Sequence, residues 1–208
     1  MGDPGRLIAF EGVEGSGKST QLELLRRVLE GRGREVVVTR EPGGTPAGER
    51  VRAVLLDPEA ELHPRAEALL FAAARAELVE AVIRPALERG AVVLCDRYLD
   101  SSLAYQGAGR ALDLAEVEQV QRWATRDLRP HLTVVLDLAP EQGLGRFAER
   151  DRIEGESVEF HERVRKAFVE MASADPDHYL VMDARRPVDD LATEVRHRVQ
   201  PLLVQAKK

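Results

Sequence analysis

"RLIAFEGVEGSGKSTQLELL", residues 6–25, decides the fold because a strand pattern, a glycine-rich loop and a helix pattern follow one another in it. The strand pattern is a short apolar run, and the helix pattern repeats leucines at helical spacing. The loop between them matches G-x-x-x-x-G-K-[ST], the P-loop signature, at Gly12, Gly17, Lys18 and Ser19. In such loops, successive backbone N–H groups face an anion, with the positive end of the following helix behind them. The stretch therefore predicts a phosphate-binding site.

Lys18 is one of only four lysines among the 30 lysines and arginines of the chain. A position between two phosphate groups suits a compact ammonium on a flexible stem, whereas a planar guanidinium would be too wide. Ser19 is expected to ligate Mg²⁺, which also needs a carboxylate nearby. Two apolar runs end in aspartate, at Asp96 and Asp137, and spacing alone does not choose between them.

The composition bounds the class of protein. A chain of 208 residues that is 44% hydrophobic suits one domain, which we expect to span residues 1–208. The formal net charge of −6 argues against a protein that coats a nucleic acid polymer, since such binding requires a concentrated positive surface. We find no run long enough for a membrane span and no signal-peptide core at the N-terminus, so we expect a cytoplasmic location.

Short β-branched runs alternate with long helical patterns along the chain. The runs cover residues 6–11, 35–39, 91–96, 132–137 and 178–183. Because they are apolar at nearly every position, we expect strands that are covered on both faces. The alternation predicts an α/β fold with three layers: a five-stranded parallel sheet between two helix layers, with ligands at the carboxyl ends of the strands.

Several residues predict helix boundaries. Asp113 and Glu116 form a possible capping box, and Pro64 can open a long helix. Pro85 should kink or end that helix, and the C-terminal helical pattern should run up to Pro201. The capped helix should present one shared face comprising Leu114, Val117 and Ala124. The highly charged segment 146–160 has little periodicity, so we expect a mobile excursion rather than core.

A P-loop alone does not define an activity. GTP switches read guanine with an Asn-Lys-x-Asp element, which a chain without asparagine cannot contain. Two alternatives remain, namely an ATP-using phosphotransferase and an ATP-driven module that phosphorylates no nucleotide. In either case, the residues expected to contact ATP are Gly12, Val13, Glu14, Gly15, Ser16, Gly17, Lys18, Ser19 and Thr20.

Candidates for a second substrate site lie elsewhere in the chain. Phe71 and Arg75 are four residues apart on one helix face, where they suit either a nucleobase or an ordinary core position beside a surface arginine. The third predicted strand runs into CDRYLDSSLAYQGAGR, a polar segment at a carboxyl end. TREPGGT, which follows the second strand, joins Arg40 and Glu41 to a Pro-Gly turn and is a weak signal by itself.

Five segments stand in a recognisable order: EGVEGSGKST, TREPGGT, LLFAAAR, DRYLDSSLAYQG and DRIE. Together they closely resemble the thymidylate kinase family, over essentially the whole chain. The resemblance implies the three-layer P-loop kinase fold with a mobile lid, and phosphorylation of dTMP to dTDP with ATP and Mg²⁺. It also suggests a homodimer. The ordered set is specific, although no segment after the P-loop is as specific alone.

The resemblance also implies roles for single residues. Phe71 would stack on thymine, with Arg75 and Ser102 at the base edge, and Arg97 would grip the dTMP phosphate. Tyr105 would form the wall below the sugar and disfavour a ribose. Glu11 would lie near the sugar and the metal, and Asp96 rather than Asp137 would join Ser19 as a metal ligand. The implied dTMP-binding residues are Glu11, Phe71, Arg75, Arg97, Ser101, Ser102, Tyr105 and Gln106.

Some thymidylate kinases carry an arginine in the phosphate loop and others carry basic residues in a lid. Here the loop has none, while the predicted lid, about residues 145–158, carries Arg146, Arg150 and Arg152. The chain therefore resembles the bacterial lid-arginine form, with Arg152 as the first choice for contacting the transferring phosphoryl group and Arg150 as the second. The implied catalytic residues are Lys18, Arg97, Arg152, Arg150 and Glu11.

Overall fold

A five-stranded parallel sheet forms the centre of the protein. The structure, a computed structural model, describes residues 5–145 and 150–204. The strands are β1 (Arg6–Glu11), β2 (Val36–Arg40), β3 (Val92–Asp96), β4 (Leu132–Asp137) and β5 (Tyr179–Asp183). Their order across the sheet is β2-β3-β1-β4-β5, so the strand before the phosphate loop is central. The predicted α/β fold and parallel sheet are confirmed.

Helices follow the strands on both sides of the sheet. They are α1 (Lys18–Glu30), α2 (Pro46–Leu56), α3 (Pro64–Leu78), α4 (Arg84–Glu88), α5 (Leu99–Ser102), α6 (Leu114–Thr125), α7 (Pro140–Leu144), α8 (Val158–Ala174) and α9 (Val188–Leu203). Two π-helical segments, Val79–Ile83 and Leu103–Gly109, connect α3 to α4 and follow α5. None of the helices within 5–145 and 150–204 combines the length and apolar character needed to cross a membrane.

The side chains of β1 alternate between two cores. Ile8 and Phe10 pack with residues of α1 and α9 on one face. Leu7 and Ala9 pack on the other face with the α3–α4 region. A third cluster joins α8 to the π-helical segment Leu103–Gly109 through Tyr105, Phe160 and Phe168. This two-sided burial places the loop after β1 at the sheet edge, between the two helix layers.

The two edge strands differ from the sequence expectation. The three central strands are buried on both faces, as predicted. Val38 in β2 and Val181 in β5, however, are 47% and 42% exposed. The expectation of coverage on both faces is therefore wrong for the outer strands. The helix layers cover the centre of the sheet and leave part of its margins in water.

Helix α6 begins as predicted but buries a narrower face. The Asp113 side chain accepts a hydrogen bond from the Glu116 N–H at 3.0 Å, which satisfies one free donor of the first turn. Glu116 itself pairs with Arg65 of α3. Val117 and Ala124 are buried, but Leu114 is 54% exposed, so the shared face is buried only beyond the first turn of the helix. Leu114 is the first residue of α6, where the helix has just left the solvent-exposed turn.

Helical structure continues past Pro85 and past Pro201, the two prolines at which helix boundaries or kinks were predicted. The helical path passes Pro85, which lies in the first turn of α4 directly after the π-helical segment Val79–Ile83. The π-helical segment before it takes up the change of hydrogen-bond pattern. Helix α9 continues past Pro201 to Leu203, because only the last turn remains beyond the proline.

The charged segment before α8 is only partly outside the core. Residues 150–157 form turns, and Ser157 caps α8 by accepting from the Phe160 N–H at 3.2 Å. Ile153 is 6% exposed and packs in the cluster with Tyr105 and Phe160. The expectation that this segment avoids the core is wrong at Ile153. Arg146 lies outside the described residues.

Candidate active site

A cavity of about 490 Å³ opens at the carboxyl ends of the central strands. The phosphate loop, residues 12–19, forms one side of it. The other side, which we call the opposite wall, consists of Phe71, Arg97, Tyr105 and Gln106. The structure therefore brings residues from the loop, α3, the end of β3 and the second π-helical segment to one enclosed space.

The glycines of the phosphate loop are required by its backbone path. Gly12 has φ 133° and Gly17 has φ 93°, a region that side chains with a Cβ rarely adopt. A Cβ at Gly12 would also lie 2.4 Å from the carbonyl oxygen of Leu136 on β4. The loop can therefore pass close to the neighbouring strand only with glycine at that position.

Lys18 lies folded against the loop that precedes it. Its Nζ donates to the carbonyl oxygens of Gly12 and Val13, each at 3.1 Å. Burial and the positive charge of Arg97 lower the Lys18 pKa to about 8, although three nearby carboxylates act in the opposite direction. A polyanion placed beside this ammonium would restore the balance of charge, so the geometry suits phosphate binding.

The Ser19 hydroxyl donates to Asp96 Oδ2 at 2.9 Å. Asp137, the other candidate carboxylate, is occupied by Arg165, whose Nε and Nη2 donate to it at 2.6 and 3.0 Å. A hydroxyl and one carboxylate at the mouth of a phosphate site fit Mg²⁺, which takes few protein oxygens and completes its shell with water and phosphate. The geometry thus favours Asp96 over Asp137.

Arg97 and Glu14 join the phosphate loop to the opposite wall. Arg97 Nη2 donates to Glu14 Oε1 at 2.7 Å, and the guanidinium lies 5.0 Å from the centre of the Tyr105 ring. The Tyr105 hydroxyl donates to the same Glu14 oxygen at 2.8 Å. Burial raises the Glu14 pKa, but Arg97, Lys18 and the Tyr105 hydrogen bond outweigh it and lower the pKa overall. Contact of Glu14 with ATP stays a prediction, and its carboxylate faces the opposite wall.

Glu11 lies beneath the site and is fully buried. It accepts from the N–H groups of Tyr98 and Ser101 at 2.8 and 3.2 Å, and from the Ser101 hydroxyl at 2.6 Å. Burial and the nearby Asp100 carboxylate raise the Glu11 pKa to about 8. In this arrangement Glu11 holds the first turn of α5, and the loop containing Arg97, against β1. Its predicted contacts with the sugar and the metal stay predictions.

Phe71 lines the cavity, whereas Arg75, one turn further along α3, is only 1% exposed. The guanidinium of Arg75 donates to Glu41, Ser102, Gln121 and the backbone carbonyl of Tyr98. Burial raises the Glu41 pKa to about 7 in spite of the arginine beside it. This cluster supports the helix behind Phe71. Base-edge contacts of Arg75 and Ser102 stay predictions.

The described lid arginines have different surroundings. Arg152 Nη1 donates to Glu67 Oε2 at 2.6 Å, and its Nε donates to the Leu55 carbonyl oxygen at 2.8 Å. Arg150 is exposed and makes only a long contact, 3.5 Å, to the Leu144 carbonyl oxygen. Arg152 is thus tied to the protein interior, while Arg150 lies in solvent. Contact of either arginine with a phosphoryl group stays a prediction.

Two further arginines, not among the predicted site residues, line the same cavity: Arg40 and Arg52. Arg52, on α2, donates to the Pro42 carbonyl oxygen at 2.9 Å. Burial, together with the charge of Arg40, lowers the Arg52 pKa. The turn TREPGGT was the available signal, since it leads the chain from β2 across the strand ends into α2. An arginine on an ordinary helix has no spacing that would single it out.

Comparisons with known proteins agree with the geometry. The family model described as Thymidylate kinase matches residues 10–195. A thymidylate kinase of Deinococcus radiodurans is 55% identical, covering 92% of this chain and 94% of its own. One from Clavibacter michiganensis is 54% identical, covering 96% of both chains. A crystal structure of thymidylate kinase from Ehrlichia chaffeensis matches with a TM-score of 0.79 at 33% identity, covering 95% of this chain and 99% of the other.

Proposed function

The chain belongs to the thymidylate kinase family, and on that premise we propose that it transfers the γ-phosphoryl group of ATP to dTMP, giving dTDP and ADP. One observation carries the proposal for this chain. The phosphate loop and the opposite wall line a single cavity, so a donor and an acceptor nucleotide can meet end to end inside it. Transfer of the phosphoryl group between them requires that the two nucleotides be aligned and their charges neutralised. It requires no protein nucleophile.

The cationic side chains of the cavity supply that neutralisation. Lys18 would exchange its two loop carbonyls for phosphate oxygens of ATP. Arg97, already held by Glu14 between the loop and the wall, would contact the phosphate of dTMP. Arg40 and Arg52 line the same space and add positive charge near the acceptor. Fixed cations of this kind act most strongly in a site from which water is excluded.

Ser19 and Asp96 would hold Mg²⁺, which when bound supplies positive charge to the donor phosphate oxygens. Independently of the ion, the Ser19 hydroxyl and the Asp96 carboxylate already fix each other's position across the mouth of the loop. The first turn of α1 is therefore tied to the end of β3.

The opposite wall would receive dTMP. Phe71 offers its ring to the thymine base, Tyr105 bounds the sugar, and Ser101 and Gln106 line the cavity between them. Ser102 and Arg75 complete the proposed base-edge set. A base that bound Arg75 directly would have to share its guanidinium with Glu41 and Gln121. Because the Tyr105 hydroxyl is fixed by Glu14, a ribose 2′-hydroxyl would meet a wall that cannot easily move.

A lid arginine completes the proposed charge around the transferring group. Arg152 would first have to release the buried Glu67 carboxylate, whereas Arg150 is free to move from solvent. Turnover of Arg152→Ala and Arg150→Ala at saturating dTMP distinguishes them. The contacting arginine should lose turnover much more than it loses dTMP affinity.

We further propose that residues 1–208 act as one catalytic domain with a lid at about 145–158, and that the enzyme works as a homodimer in the cytoplasm. The family resemblance supports the dimer. Sedimentation of the purified protein measures the oligomeric state, and cell fractionation measures the location. A monomeric sedimentation profile at assay concentration contradicts the dimer without affecting the proposed reaction.

The direct test incubates purified protein with ATP, Mg²⁺ and a panel of nucleoside monophosphates, followed by separation of the products. We expect dTDP to form fastest, with dUMP used more slowly, since the missing methyl group removes a contact worth roughly 1–3 kcal/mol. The ribonucleotide analogue of dTMP should be used more slowly still. Faster phosphorylation of AMP or GMP, or conversion of ATP to ADP and inorganic phosphate without a diphosphate formed from any monophosphate, would contradict the proposal.

A further inference from the structure

A buried ion cluster lies directly behind the opposite wall. Its centre is Glu67 on α3, which is 0% exposed. Glu67 Oε2 accepts from Arg110 Nη2 at 3.0 Å and from Arg152 Nη1 at 2.6 Å. Arg110 also pairs with Glu156, so two carboxylates and two guanidinium groups balance one another. The cluster links α3 to the turn before α8.

The second oxygen of Glu67 faces the cavity wall. Oε1 accepts from Arg110 Nε at 3.1 Å and from the side-chain amide nitrogen of Gln106 at 2.9 Å. Burial raises the Glu67 pKa, but the hydrogen bonds from Arg110, Gln106 and Arg152 outweigh it and lower the pKa overall. Glu67 is therefore ionised and can only accept hydrogen bonds.

An acceptor-only partner determines which way the Gln106 amide faces. The NH₂ group must face Glu67, because the reverse orientation would set a carbonyl oxygen against a buried carboxylate. Gln106 is 1% exposed, so water cannot relieve that conflict. Within the described residues, the Gln106 carbonyl oxygen has no protein hydrogen-bond partner, and Gln106 lines the cavity. An unpaired acceptor is thus offered to the ligand.

The position of this acceptor corresponds to a base edge. Glu67 and Phe71 lie four residues apart on α3 and therefore on one face of the helix, one turn from each other. Phe71 and the Gln106 amide that Glu67 holds line the same cavity, so a base stacked on the ring can present its edge to the amide. Thymine carries a donor, N3–H, on its pairing edge, whereas cytosine carries an acceptor there.

We propose that Glu67 is a positioning residue for base selection: it fixes the Gln106 amide so that an acceptor faces the base, which favours dTMP over dCMP. This inference rests on the proposed function. Glu67 itself does not touch the substrate, and it acts through the orientation of Gln106.

The substitution Glu67→Gln inverts the polarity of this arrangement. The Oε2 position of Glu67 receives two guanidinium donors, Arg110 Nη2 and Arg152 Nη1, whereas the Oε1 position receives only Arg110 Nε beside Gln106. The new amide should therefore place its oxygen at the Oε2 position and its NH₂ toward Gln106, where it opposes one guanidinium donor instead of two. Gln106 then turns its carbonyl oxygen inward and its NH₂ to the cavity. We expect the ratio of kcat/KM for dTMP over dCMP to fall about 10- to 100-fold, through loss of dTMP use.

The exchange variant Glu67→Gln with Gln106→Glu provides the rescue. Its inward NH₂ group again meets a carboxylate, and the other carboxylate oxygen again faces the cavity as an acceptor. We expect the dTMP-over-dCMP ratio to return to within a few-fold of the original. Glu156→Gln is the matched control, because it removes a carboxylate from the same cluster without contact to Gln106, and it should leave the ratio unchanged.

Equal losses for dTMP and dCMP in Glu67→Gln, or no rescue by the exchange, would overturn the inference. A wild-type protein that phosphorylates neither nucleotide would overturn the proposed function instead. If the variants do not fold, a measurement on the unsubstituted protein still tests the inference. The Gln106 NH₂ protons, assigned by their absence from the ¹⁵N spectrum of Gln106→Met, should exchange slowly with solvent, whereas fast exchange contradicts the inference.

Discussion

The phosphate loop and the opposite wall line the same cavity but are built in different ways. The loop is one continuous stretch, residues 12–19, whose path is set by its glycines and by local bonds such as those from Lys18 to the Gly12 and Val13 carbonyl oxygens. The opposite wall collects single side chains from α3, the end of β3 and the second π-helical segment. These side chains are held by buried charges such as Glu41, Glu67 and Arg75.

This difference in construction determines whether a substitution affects activity or stability. A loop made of backbone depends on glycine conformations that are local to the sequence. A wall made of distant side chains depends on buried ion pairs, in which removing one partner leaves an uncompensated charge. Side-chain changes in the loop that leave its glycines in place should therefore affect chemistry without much loss of stability, and changes behind the wall should affect stability first.

Lys18→Met should have the largest effect, and that effect should be on activity and not on stability. Removing a fixed cation from the reacting phosphates should lower kcat on the order of 10³-fold, measured by steady-state dTDP formation. The free energy of unfolding should stay equal or rise, because burial already disfavours the charged ammonium, as its pKa of about 8 indicates. Lys166→Met, at an exposed position of α8, is the control. A fall in kcat below tenfold would remove Lys18 from the catalytic set.

Arg75→Met tests the other half of the comparison. It leaves the Glu41 carboxylate buried without its partner, so we expect the free energy of unfolding to drop by about 3 kcal/mol in urea titrations near neutral pH. Protonation of Glu41 limits the loss, since its pKa is already about 7.

Arg65→Met is the matched control for Arg75→Met on the same helix. Arg65 is an exposed arginine paired with Glu116, and such surface pairs contribute at most about 1 kcal/mol. Equal losses in the two variants would mean that the buried cluster does not support α3.

Glu11→Gln should leave stability near pH 4.5 little changed and should show its effect as a change of stability with pH. The folded protein keeps a proton on Glu11 up to about pH 8, while the unfolded chain releases it near its ordinary pKa of 4.5. This group therefore makes unfolding easier as the pH rises from about 4.5 to 8. The glutamine amide does not titrate and removes that contribution. Between pH 4.5 and 8, the free energy of unfolding should therefore fall less steeply with pH in Glu11→Gln, by up to about 1.4 kcal/mol per pH unit.

Glu11 is also suited to this substitution by its contacts. A glutamine oxygen can accept from the Tyr98 and Ser101 N–H groups, and its NH₂ can donate to the Ser101 hydroxyl. Glu170→Gln, exposed on α8, is the control and should leave the slope unchanged. An unaltered slope in Glu11→Gln would show that Glu11 is ionised in the folded protein.

The strands, most helix starts and the phosphate loop followed from patterns that are local in the chain. Asp113 capped its helix as predicted, because a cap needs only residues within three positions of it. Arg52 and Glu67 were missed, since their importance lies in what they meet across the fold. Val38 was expected to be covered and is exposed, and Leu114 is exposed on a helix face that is otherwise buried. Patterning shows an apolar face without showing whether another element covers it.

The sequence by itself determined the parallel sheet, the phosphate loop at its centre and the family to which the chain belongs. These depend on short-range patterning and on glycines that only certain backbone angles require. Only the tertiary structure decided that Glu14 faces the opposite wall, that Arg152 is tied to Glu67 and that the Gln106 amide has one orientation. Those facts depend on which charges share a buried space, and burial at such distances is a property of the packed chain.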